Sequence, residues 1–103
     1  RPGTVTGTGE HLGIPVEVEL NQNYPNPFNP STIIRYGVPK QNAVQLEVFD
    51  IVGRRVMTLV NNEIKEPGRY DVSFNGSSLA SGIYFYRLIV GQKVLTRKMM
   101  LIK

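Results

Sequence analysis

Seven short runs of alternating side chains, separated by Gly, Pro and Asn, constrain this chain more than any other feature. In Ser31–Val38, residues Thr32, Ile34, Tyr36 and Val38 share a face; in Val44–Asp50, Val44, Leu46 and Val48 do; in Arg69–Asn75, Tyr70, Val72 and Phe74 do. A period of two places one set of side chains inward and the other in water, which is the signature of a half-buried strand. Ile14–Leu20 repeats it, with Val16, Val18 and Leu20 opposite Glu17 and Glu19. Ile83–Val90 and Lys93–Ile102 form a last pair across Gly91-Gln92, a short hairpin turn with Gly first. The β-branched bias agrees: 12 Val and 8 Ile stand against 2 Ala. Such side chains suit a pleated surface better than a helix.

Arg54–Glu66 is ambiguous. Val56, Leu59, Val60 and Ile64 have helical spacing, but the β-branched Val56, Thr58 and Val60 favour a strand over 54–60, with a turn at Asn61-Asn62. Turn signals recur every 8–15 residues or so. The sum is an all-β, immunoglobulin-like sandwich of about seven antiparallel strands over 14–103. At 103 residues and 41% hydrophobic content, one core is possible and two are not. Gly82-Ile83-Tyr84 resembles a tyrosine corner, in which a Tyr hydroxyl bonds backbone slightly upstream. Tyr84 is therefore assigned a structural role. Both faces of 83–90 are fairly apolar, so one of them either is covered or faces a partner.

The connections also have chemistry. Asn21–Pro30 carries Pro25, Pro27 and Pro30, which exclude helix and ladder pairing. It reads as an ordered loop, with Tyr24 and Phe28 as lids over the core. Its Asn side chains are poor calcium ligands without a carboxylate. Asp50 is expected to cap a tight turn in which Gly53 takes positive φ. Residues 1–13 read as a flexible linker; the start is no signal peptide and lacks an initiator Met, as in a segment of a longer protein.

Several functions are excluded or disfavoured. Cys is absent and His11 is the single His, so disulfides, thiolate sites and catalytic triads cannot be built. Seven carboxylates lie in 14–103, but Glu17 and Glu19 belong to a wet face, where no acid acquires a raised pKa. No cofactor is called for and no enzyme is expected. No apolar run reaches the ~18 residues of a membrane helix. The net charge of +4 is spread along the chain, with no nucleic-acid motif.

Four segments in order carry a family resemblance: Asn23-Tyr-Pro-Asn-Pro-Phe-Asn-Pro-Ser-Thr32, Val48-Phe-Asp-Ile-Val-Gly-Arg54, Leu79-Ala-Ser-Gly-Ile-Tyr-Phe-Tyr-Arg-Leu88 and Lys98-Met-Met-Leu-Ile-Lys103. Together they resemble the C-terminal sorting domain of type IX secretion substrates, which is related to the immunoglobulin-like domain of flagellar hook-capping proteins. Phe74, where Trp is frequent, and Pro67-Gly68, where Ala-Gly is common, are mild departures. The resemblance implies an upstream passenger in the same chain, passage through periplasm and outer membrane, and outer-membrane secretion machinery as reader. It implies a secreted or cell-surface location. The last strand is expected to be read by a partner, main-chain edge included, with Lys98, Leu101 and Lys103 carrying recognition and Met99 with Ile102 holding the strand. An accessory carbohydrate- or protein-binding module is the alternative reading.

Overall fold

Alternation becomes two antiparallel sheets in the computed structural model, which describes residues 14–103. The strands are β1 (Glu19–Leu20), β2 (Ser31–Val38), β3 (Asn42–Phe49), β4 (Arg55–Lys65), β5 (Gly68–Asn75), β6 (Gly82–Val90) and β7 (Lys93–Leu101). One sheet has the order β1-β2-β5, the other β4-β3-β6-β7. A constant-type immunoglobulin domain places its fourth strand in the sheet of strands one, two and five; here β4 lies beside β3 instead. The expected linker over 1–13, with His11, lies outside the described residues.

On β2, β3 and β5 the inner faces are those the period of two selects. Ile34, Tyr36, Val38 and Phe74 meet Val44, Leu46, Val48, Tyr86 and Leu88, and all are essentially fully buried. The outer face of the smaller sheet closes its charges in pairs. Arg35 grips Asp71 through Nε (2.7 Å) and a second nitrogen (3.0 Å). Arg69 holds Glu19 in the same forked way, at 2.9 and 3.1 Å.

Two strand expectations are corrected. The first run pairs only over Glu19–Leu20, against Gly37 and Tyr36, and Val16 is exposed. Pro15 and Glu19 crowd the place a Cβ would take at Gly37, both at 2.9 Å, so this stretch packs across β2 more than it pairs along it. At the other ambiguous place, β4 runs through Asn61-Asn62 to Lys65 as one strand. The register steps from Leu46↔Val60 to Val44↔Glu63, so Gln45 faces two residues. Asn62 absorbs the extra residue with φ 53°, a left-handed conformation that Asn tolerates. What resembled a turn, or a helix, is a β-bulge.

Candidate functional site: the last strand and the loop beside it

β7 is an edge strand, and edges that expose unpaired N–H and C=O groups invite pairing. Its C-terminal half is already occupied. Phe28 N–H donates to Met100 O (2.9 Å), and Ile102 N–H donates to Phe28 O (2.9 Å), a short parallel pairing. Asn26 Oδ1 accepts from Met100 N–H (3.0 Å), and Gln22 Nε2 donates to Lys98 O (2.7 Å). The Asn21–Pro30 loop thus runs as a strap along residues 98–102. This corrects the expectation of a free main-chain edge there.

The strap has its own internal supports. The peptide bonds before Pro25, Pro27 and Pro30 are cis. Asn23 is buried; its Nδ2 donates to Thr32 Oγ1 (3.0 Å) and to Pro25 O (3.1 Å). Thr32 Oγ1 in turn donates to Pro25 O (2.8 Å). From β6 the Tyr86 hydroxyl accepts the Asn23 N–H. Phe28 is buried against Phe74, edge to face at 5.9 Å. Tyr24 is not a lid: its side chain is 81% exposed, while its backbone pairs with Ile33. The strap is held there by main-chain bonds, which leaves the ring in water.

The predicted recognition residues separate by side. Lys98 points outward and is exposed, and it makes no ion pair among the described residues. Lys103 is exposed too; its Nζ donates to Ser77 O (2.6 Å) and its backbone N–H to Ser81 Oγ (3.0 Å). Leu101 is buried at 1% exposure beside Met99, so its side chain belongs to the core of the folded domain. Ile102 bonds the strap through its N–H and not by burying its side chain, the residue being 47% exposed.

The other predicted structural residues, Asp50, Gly53 and Tyr84, lie about the turn after β3 and the start of β6. Asp50 Oδ1 accepts from the N–H groups of Val52 (3.1 Å) and Arg54 (2.9 Å), and Oδ2 from Arg54 Nε (2.9 Å). The Arg54 N–H, foremost, holds this carboxyl below its usual range. Gly53 turns the chain at φ 90°. The Tyr84 hydroxyl donates to Ala80 O at 2.6 Å, the tyrosine corner expected of it.

The outer face of the larger sheet shows what the sequence left open about 83–90. Its inward residues are core, and Ile83, Phe85, Arg87 and Ile89 form a half-buried outer row beside Val94, Thr96, Lys98 and Met100. Glu47 lies buried in this face between Arg55 and Arg87, each at 3.0 Å. Burial alone would push its carboxyl up; hydrogen bonds from Arg55, Arg87 and Gln45 hold it below the usual range. Arg87 also lies 4.6 Å above the Phe49 ring. Sequence reasoning missed this triad, since charge on a strand says nothing of which charges meet.

Among the described residues no three His, Cys, Asp or Glu side chains group as a metal site, and no helix is long and apolar enough to cross a membrane. Tyr24 is the one strongly exposed aromatic among them, which gives a sugar ring no paired platform. A family model described as a secretion system C-terminal sorting domain matches residues 22–103. No curated protein and no solved structure gives a significant match.

Proposed function

We propose how this domain is read, from the premise that the chain belongs to the family of secretion system C-terminal sorting domains. Such a domain is a sorting signal for type IX secretion, carried by a larger secreted protein, and directs export through the outer membrane to the cell surface or beyond. The reading concerns which atoms a secretion component meets. The observation that carries it is the strap: with the main-chain edge of residues 98–102 bonded to Gln22, Asn26 and Phe28, a reader of the folded domain meets side chains. Lys98 and Lys103 are then the recognition residues, and Leu101 serves by holding the strand in place. The domain acts by being bound and performs no catalysis; the machinery of the outer membrane is its partner.

The experiment is export of a reporter fused ahead of the domain in a host with type IX secretion. Deleting the last strand is a poor probe, because Met99 and Leu101 are core. Lys98→Ala combined with Lys103→Ala leaves the core intact. Reduced export with an unchanged unfolding midpoint supports the reading; normal export rejects these two residues as the signal.

A further inference from the structure

The two outer faces of the sandwich differ in charge closure. On the smaller sheet, Arg35 and Arg69 each face a carboxylate. On the larger sheet, the buried Glu47 serves both Arg55 and Arg87, and Lys98 has no anion among the described residues. The face therefore carries cations in excess. It is also apolar: Ile83 stands opposite Met100, and Phe85 opposite Lys98. Ile51, 69% exposed on the turn after β3, continues the patch, lining a hollow with Phe49 and Phe85. Contiguous apolar surface rimmed by polar groups is the kind of surface that marks interaction sites once it is large enough.

We infer that Ile51, Ile83, Phe85, Lys98 and Met100 form a docking face for an acidic protein surface, one that presents carboxylates between apolar side chains. This rests on the sorting-signal reading and names the chemistry of its partner. Charge selects the occupant. A second copy would bring the same surplus of cations, and like charges across an interface oppose association. A carboxylate opposite Lys98 completes a pair the chain itself leaves open, while Phe85 and Met100 supply the apolar area around it.

The test places a photo-reactive benzoylphenylalanine at position 100 of the exported reporter fusion and maps the cross-linked peptide by mass spectrometry. The expected product is a protein segment bearing Asp or Glu. Lys98→Glu and Met100→Glu, each checked for an unchanged thermal midpoint, should weaken cross-linking and export at least about tenfold, a loss typical of a central interface residue. Ile33→Glu on the other sheet should not. Replacing the cross-linked carboxylate by Lys should restore export of the Lys98→Glu fusion. Cross-linking to a second copy, to a segment without carboxylates, or to lipid overturns the inference, as does full export of both folded variants or failure of the charge swap. A wild-type fusion that is not exported at all would instead refute the sorting reading.

Discussion

The Tyr86 hydroxyl joins the last hairpin to Asn23, a residue 63 positions away, by accepting its backbone N–H at 2.8 Å. The same hydroxyl donates to Asn21 O at 2.6 Å. It thus satisfies a donor and an acceptor of the strap at once. Burial, foremost, raises its pKa. Tyr86→Phe should cost about 2 kcal/mol, because the buried Asn23 N–H loses its partner, while the carbonyl of the exposed Asn21 turns to water. Urea denaturation of the variant measures this.

Tyr84→Phe should cost less, about 1 kcal/mol. Its hydroxyl serves one carbonyl, and Ala80 is exposed, so water replaces much of the bond. The Tyr84 corner was legible because its bond is local: a Tyr just after a turn reaches back four residues. The Tyr86 bond was not, because it joins β6 to a loop 63 to 65 positions away and depends on how the strap is laid down. The same distinction runs through the fold. Inward residues of β2, β3 and β5 follow from a period of two. The bulge at Asn62 and the burial of Glu47 depend on which strand lies alongside, which no local pattern encodes.

The strap gives a sharp contrast between its two aromatics. Phe28→Ala should destabilise by about 3–5 kcal/mol, the range for emptying a core aromatic site. Tyr24→Ala should stay within about 0.5 kcal/mol, because the ring is in water. Amide exchange offers a separate check. The N–H groups of Phe28, Met100 and Ile102 should be protected together, since all three are bonds of the same strap. Fast exchange at these sites would contradict a strap that persists in solution.

Acid and alkali should weaken the domain for opposite reasons. Glu47, Asp50 and Asp71 have lowered values in the folded state. Their contribution is complete above the ordinary carboxylate range near about pH 4 and is lost as pH falls through and below it. The Tyr36 hydroxyl is pushed from 10.0 up to about 12, by burial first and then by Tyr70 and Glu63. A raised value favours the protonated, folded form, so this contribution is complete below pH 10 and is lost as pH rises from 10 toward 12. Denaturation midpoints across pH should fall at both ends. In Tyr36→Phe the alkaline fall should be shallower.

Leu101 and Ile102 are neighbours that should separate folding from recognition. Leu101 is core, packed so close that its Cδ2 lies 3.0 Å from where a Cβ at Gly76 would stand. Leu101→Ala should cost about 2–5 kcal/mol through transfer and cavity terms. Ile102 gives its N–H to Phe28 and leaves its side chain half in water. Ile102→Ala keeps that bond and should cost about 1 kcal/mol or less. If side chains of the folded strand are what the machinery reads, any export defect of Leu101→Ala must follow its stability. It should then be recovered by a stabilising condition, such as lower growth temperature. Lys98→Ala should lose export with its midpoint intact, and cooling should not restore it. Export and midpoint measured on the same three fusions decide this. A Leu101→Ala defect that persists in fully folded protein would mean that the strand is released from the strap and read from its inner side.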